Sequence, residues 1–549
     1  MKFWKKLIYK GVSMKFDFNN ELRIGQIVEI KGNKVVCKIF NNKNGPFLFV
    51  DGNIIKNITI GNYVVMPIGF NLIVGKIEGE FASEKENKSF LYNEIELISR
   101  KIEISIFGTY EKDKFSLGIS SMPLINSDVY IAPKELIDNM FVFNDVIDDH
   151  SINLGYDLFS NQQISVSIEK LFANHIGIFG NTGSGKSNTL AYLYTKLFEK
   201  FDFDKKHTFI FLDFNNEFSG CFIETKTVVN LGGQNNEKLY LPRDTVFNVE
   251  FWQNLSDAAE KTHKPFIKDV ITAYKCKSVN TKKIEEFLES HNGLDTISKN
   301  KLNDVLETKH ENDFDYFVMC MNYVAISRYG TSKSNSLDNS FWALIHRIEQ
   351  HCEALSKYIK FKQEEYSNVL VINMNLLSLE YKLIISYLVS NRYYELFDKR
   401  VSDNNTINLV IDEAHKILSI PHERENNYFK EYLVNTFEEY IKEGRKFGFY
   451  LTISSQRPSD ISPMFLSQMH NYFIHRLVNQ NDINNLSNSV SFLDDASFSM
   501  ISSLKVGSCI FSGIAAKFPT IIQVSKLSEE SSPKSENISI TANAKIKLN

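Results

Sequence analysis

The sequence predicts an α/β fold: a RecA-like P-loop NTPase core carrying a helical insertion and preceded by a small N-terminal β-barrel. Three observations carry that prediction. Between Gly25 and about Phe141, short β runs alternate with turn residues. From Ile176 a strand, a glycine-rich loop and a helix follow one another. Far downstream, Ile407, Leu409, Val410 and Ile411 lead into Asp412 and Glu413, the pattern of a buried strand ending in acids.

In the first region, Val35, Cys37 and Ile39, and later Ile102, Ile104 and Ile106, recur at every second position, the period of a strand with one buried face. Gly32-Asn33, Asn44-Gly45 and Gly61-Asn62 fall between such runs and are read as hairpin connections. From about Ser165 the character changes to the strand, loop and helix order of an α/β domain with a parallel sheet. Between Val249 and Lys362 the spacing turns helical, with apolar residues three and four apart in Lys282 to Ser290 and Ser340 to Lys357. The α/β pattern resumes with a strand over Asn368 to Asn373 and a helix from about Leu379. The expected organisation is an N-terminal extension over 1–20, a barrel over 21–150, the first part of the ATPase core over 151–248, the helical insertion over 249–365, the second part of the core over 366–525, and a polar tail over 526–549 that is mobile or partner-bound.

Composition narrows the function classes. Across 549 residues, 43% are hydrophobic and 23% charged, which excludes collagen-like, coiled-coil and wholly disordered chains. No apolar run approaches the ~18 residues of a membrane span, and the basic start MKFWKKLIYKGV lacks the apolar core and cleavage site of a signal peptide. The six cysteines show no CxxC pair, so reduced thiols and a cytoplasmic location are expected. A net charge of −4 speaks against nucleic acid coating the whole surface and leaves room for a locally basic channel.

The segment IGIFGNTGSGKS supplies Gly180, Asn181, Thr182, Gly183, Ser184, Gly185, Lys186, Ser187 and, one residue on, Asn188, between a β-like run and a helix. This is the P-loop in its required setting: glycines let backbone N–H groups face phosphate oxygens, and the helix N-terminus favours anions. Lys186 is expected to reach the β and γ phosphates of ATP, with Ser187 and Asp412 as ligands of Mg²⁺. Leu190, Leu193, Tyr194, Leu197 and Phe198 form one apolar stripe on the helix that follows. Glu413 is the candidate general base. Two further strand ends, in FIFLDFNNEF and FYLTISSQRP, place Asp213 with Glu217, and Gln456, among the candidate catalytic groups, because such groups gather at the carboxyl ends of parallel strands.

Taken together, the barrel, HIGIFGNTGSGKSNT, LDFNNEF, LVIDEAHKIL, EGRKFGFYLTISSQRPSDI and LKVGSCIFSG resemble the HerA family of hexameric ATPases, in the larger group with FtsK translocases and conjugative secretion ATPases. The resemblance implies a homohexamer with ATP at subunit interfaces and double-stranded DNA in a central channel. It also implies that Arg445 acts in trans on a neighbour's ATP as an arginine finger, with Arg457 as the competing candidate. Asn174 departs from the basic residue that many relatives carry before the equivalent of His175, which puts a second trans cation in doubt.

Two functional readings follow. One is a DNA translocase serving a NurA-type nuclease. The other is an ATP-dependent scaffold that switches a partner effector in anti-phage defence, such as a sirtuin-like NAD hydrolase or a nuclease. A conjugative coupling ATPase is a third, disfavoured because no membrane segment is visible. In either leading case the partner is expected to dock on the barrel. Lys416, His422, Arg424 and Lys430 are noted as pore-lining candidates, with a solvated face as the plainer explanation.

Overall fold

The structure, a computed structural model, describes residues 20–50, 52–69, 71–84, 98–111, 114–141, 150–258, 263–291, 293–308, 312–330, 337, 339–396, 405–420, 428–490 and 495–534. The N-terminal extension up to residue 19, His422, Arg424 and the tail from 535 onward lie outside them. The chain divides into two compact units, one of residues 1–171 and 492–525, the other of 172–491 and 526–549.

The first unit holds β1 (Arg23–Lys31), β2 (Lys34–Ile39), β3 (Phe47–Val50), β4 (Asn53–Lys56), β5 (Tyr63–Ile68), β6 (Asn71–Glu84), β7 (Ile98–Glu111), β8 (Lys114–Leu117) and β9 (Asp128–Ile131). Six of them close on themselves in the order β2-β1-β9-β5-β6-β7, because β2 also pairs with β7. At that seam Val35 lies opposite Ile104 and Cys37 opposite Ile102. The predicted alternating residues all point inward, each at most 2% exposed. Gly32-Asn33 is the β1–β2 hairpin as expected. Asn44-Gly45 and Gly61-Asn62 are not hairpin turns: β3 pairs only with β4, so both dipeptides sit in links between different sheets.

The same unit contains β10 (Ser151–Asp157), β11 (Gln163–Ser167), β21 (Ser508–Gly513) and β22 (Thr520–Val524). They run antiparallel in the order β11-β10-β22-β21. Phe518, between β21 and β22, meets Tyr63, Phe107, Phe115 and Phe141 at ring-centroid distances of 5.3 to 6.1 Å. This aromatic cluster joins the β21–β22 pair to the barrel within the first compact unit, which takes in 492–525 as well as 1–171.

The second unit is built on β12 (Ile176–Phe179), β13 (His207–Asp213), β14 (Thr227–Asn230), β17 (Val369–Asn373), β18 (Thr406–Ile411), β19 (Phe449–Ser455) and β20 (Asn471–His475), all parallel, in the order β20-β12-β19-β18-β13-β17-β14. β12, β17 and β20 are buried along their whole length, and the first two read as nearly continuous apolar runs. Under the sheet, the stripe on the helix Lys186–Lys200 is buried, and the Tyr194 hydroxyl bonds Thr452 Oγ1 at 2.8 Å. Between β15 (Leu239–Tyr240) and β16 (Ile359–Lys360), which pair in parallel, the described chain is mostly helical, including Thr281–Ser290 and Asn339–Tyr358. The run Leu383 to Val389 lies buried within the helix Leu379–Leu396. Among the described residues no helix is long and apolar enough to cross a membrane. Of the tail, Lys534 donates its backbone N–H to the Glu217 carbonyl at 3.1 Å.

A candidate nucleotide site at the carboxyl ends of the parallel strands

The loop after β12 is shaped by its neighbours. Gly180 admits no side chain, since a Cβ there would lie 2.5 Å from His475 Cβ and 2.6 Å from Ser184 Oγ. Gly185, at φ 110, takes a left-handed conformation that glycine adopts freely, immediately before the helix Lys186–Lys200. No side chain caps that helix, so its first N–H groups remain for an anion. The end of β20 holds the loop from the side. Asn181 donates its N–H to the Arg476 carbonyl at 3.0 Å, its Oδ1 accepts from Val478 N–H at 2.9 Å, and His475 Nε2 lies 2.9 Å from Thr189 Oγ1. Sequence reasoning missed these supports.

β18 delivers two carboxylates beside the loop. Asp412 is 2% exposed and neither of its oxygens has a hydrogen-bond partner. Burial pushes its pKa up to about 7, against the pull of the Lys186 ammonium and with smaller pushes from Glu217, Glu413 and Asp213. A buried carboxylate whose oxygens have no hydrogen-bond partner, under the pull of Lys186 at the helix start, offers the hard oxygen donors that suit Mg²⁺. Glu413 stands at φ 50, a conformation that costs a non-glycine residue about 1 kcal/mol or more. The Ala414 N–H, bonded to the Ser454 carbonyl at 2.8 Å, holds that kink.

The Glu413 carboxylate is held through one oxygen, while Oε2 has no hydrogen-bond partner. Gln456 Nε2 donates to its Oε1, Asn215 Nδ2 donates to the same oxygen at 3.3 Å, and His415 Nδ1 lies 3.3 Å from Oε2. Gln456 in turn accepts from Thr182 Oγ1 of the P-loop, so one amide joins the loop to Glu413. Asp213 is fully buried, and its oxygens accept the N–H groups of Asn215, Glu217 and Phe218 at 2.9 to 3.2 Å. It therefore shapes the turn that presents Asn215 to Glu413. Asn215 was legible only as part of LDFNNEF.

Arg445 is not brought to this site. It lies in the turn Gly444–Phe447, ahead of β19, while Gln456 follows the other end of that strand. Seven residues separate the two ends, roughly 23 Å at about 3.3 Å per residue. Arg457, by contrast, adjoins Gln456, and its guanidinium is 3.9 Å from Asp460.

Residues 152–392 match the family model described as the central domain of helicase HerA. Two proteins described as DNA double-strand break repair helicase HerA are similar along most of their length. That of Sulfurisphaera tokodaii is 23% identical over 418 residues, 74% of either chain, and that of Saccharolobus solfataricus 25% over 382 residues, 68% of this chain and 69% of the relative. The chain is similar to HerA helicases over most of its length. A probable helicase of Methanocaldococcus jannaschii is also 23% identical to this chain, over 546 residues covering 92% of it and 96% of the relative. Among solved structures, VirB4 of Thermoanaerobacter pseudethanolicus is similar with a TM-score of 0.49 and 16% identity, covering 70% of this chain and 100% of that one. A model described as a ubiquitin-like domain matches residues 384–447, but that stretch holds β18 and the helix Tyr428–Glu443, parts of the parallel unit rather than a separate module.

Proposed function

We propose that this protein is an ATP-hydrolysing motor of HerA type that works on duplex DNA as a homohexamer in the cytoplasm. One observation supports the catalytic reading above others: Thr182, Gln456 and Glu413 form a continuous hydrogen-bonded bridge from the P-loop to the candidate base, beside the unpartnered Asp412. Lys186 and the loop N–H groups bind the phosphates. Ser187 and Asp412 would hold Mg²⁺, which when bound neutralises phosphate charge. Glu413 accepts the proton of the attacking water, with Gln456 and Asn215 fixing its direction and Asp213 acting through the turn it organises. The distance along β19 denies Arg445 its own subunit's ATP and supports action on a neighbour's. The motor reading is tested by phosphate release with and without duplex DNA. Duplex-stimulated turnover, absent in Lys186→Ala, is expected; turnover that survives in Lys186→Ala would refute it.

The raised Asp412 pKa gives a linkage prediction. With its folded value above the ordinary carboxylate range, the nucleotide-free fold is favoured while Asp412 is protonated and loses that advantage as pH rises through about 7. An ion ligand must be ionised, so Mg·ATP binding below that pH should release up to about one proton per site. Calorimetry in buffers of different ionisation enthalpy measures this. Release should fade above about pH 8 and vanish in Asp412→Asn; release unchanged by Asp412→Asn would remove Asp412 as its source.

The barrel is proposed as the docking platform for a partner protein, a NurA-type nuclease or another effector. Phe47, Phe49 and Ile54 of the β3–β4 hairpin are 59%, 69% and 66% exposed, a concentration of apolar surface that single scattered residues do not explain. Phe47→Ser with Phe49→Ser should weaken capture of the adjacent gene's product by roughly 30-fold or more, the scale of an aromatic anchor, while ATP turnover is unchanged. Undiminished capture would exclude the hairpin.

A further inference from the structure

The Arg445 guanidinium is exposed, yet one contact fixes it: Nη1 lies 2.9 Å from His470 Nε2. A guanidinium carries only N–H donors, so His470 Nε2 must be the bare, accepting nitrogen of a neutral ring whose proton is on Nδ1. Burial, then the Arg445 cation, hold His470 below the usual histidine range and keep it in that accepting form.

His470 is itself anchored. Its backbone N–H donates to the His175 carbonyl at 3.0 Å, and the two imidazole rings lie 5.4 Å apart. His175 is fully buried, and its tautomer is set on both sides. Nδ1 accepts the Leu451 N–H at 3.0 Å, which leaves Nε2–H to donate to the Ile441 carbonyl at 3.1 Å. Burial, with the nearby His470, pushes His175 down to about 4, so it stays neutral. Ile441 belongs to the helix that leads into Arg445's turn, Leu451 to β19, and His175 adjoins β12. His175 therefore pins together the three elements around the turn, and His470 stands on that platform.

We propose that His470 is the positioning residue of Arg445: a neutral imidazole acceptor that holds the guanidinium in one orientation before it meets a neighbouring subunit's ATP. The inference rests on the reading of Arg445 as a trans-acting finger and adds what aims it. Both histidines lie at the amino-terminal ends of β12 and β20, whose carboxyl-terminal ends hold the P-loop through Gly180 and Arg476. The same pair of strands thus carries a subunit's own nucleotide loop on one edge and the anchor of the finger on the other.

The test is single-turnover hydrolysis by full-length rings. His470→Leu should lower the chemical step by about tenfold to a hundredfold, the scale of misplacing a reacting group by about 1 Å, with ATP affinity unchanged. His470→Gln, whose Oε1 can occupy the accepting position, should retain most of the rate, which separates positioning from packing. Placed on Arg445→Ala, His470→Leu should add no further loss. Rings mixed from His470→Leu and Lys186→Ala subunits should regain hydrolysis, whereas His470→Leu with Arg445→Ala should not. A full rate in His470→Leu, or an equal further loss on the Arg445→Ala background, would overturn the proposal. The double variant reads the His470–Arg445 link whichever subunit's ATP the arginine serves. Mixtures of Arg445→Ala with Lys186→Ala judge the trans reading alone, so the two failures are distinguishable.

Discussion

Glu413→Gln is expected to retain ATP binding and to slow hydrolysis by about 10²- to 10⁴-fold, the usual return of a positioned general base. Glutamine keeps the size of the side chain and can still accept from Gln456 and Asn215, so the bridge to Thr182 survives. What it loses is the basic oxygen. The phosphate-binding loop, Lys186 and Asp412 are untouched, and nucleotide affinity should hold. Steady-state phosphate release together with calorimetric nucleotide binding separates the two effects. Normal turnover in the variant would remove Glu413 as the base.

A larger loss is expected from Arg445→Ala, about 10³- to 10⁵-fold in hydrolysis, because a guanidinium stabilises charge on the transferring phosphoryl group. The side chain is exposed and contacts His470, so its removal leaves no buried partner charge. Folding and ATP binding by the isolated subunit should therefore be near normal. Thermal unfolding and a binding isotherm serve as controls for the turnover assay. A loss of only a few-fold would mean that Arg445 is not the finger and would return Arg457 to consideration.

The candidate nucleotide site was legible in the sequence where chemistry demands particular residues at short spacing. The P-loop and the apolar strand into Asp412 and Glu413 are local patterns, and β18 and the helix after β12 form as they predict. Gln456 was legible as a strand end, but its double hydrogen bond was not. His475 and Arg476 were missed because they reach the site from β20, whose place in the sheet has no counterpart in the sequence: β20 and β19 flank β12 although both follow it by hundreds of residues. The barrel showed itself through the two-residue period of Val35 to Ile39 and Ile102 to Ile106. Its turns were misread because Asn44-Gly45 and Gly61-Asn62 have hairpin composition but join strands that do not pair. The grouping of β21 and β22 with the barrel depends on Phe518, whose ring partners are more than 370 residues earlier in the chain.

The central claim is that one hydrolytic site is divided between two subunits, with Lys186 and Glu413 from one and Arg445 from the next. Mixing inactive Arg445→Ala subunits with inactive Lys186→Ala subunits tests it most directly, in rings shown by native mass spectrometry to contain both. Interfaces that pair an intact Lys186 with an intact Arg445 should restore part of the ATP turnover. No recovery in rings proven to be mixed would contradict the divided site.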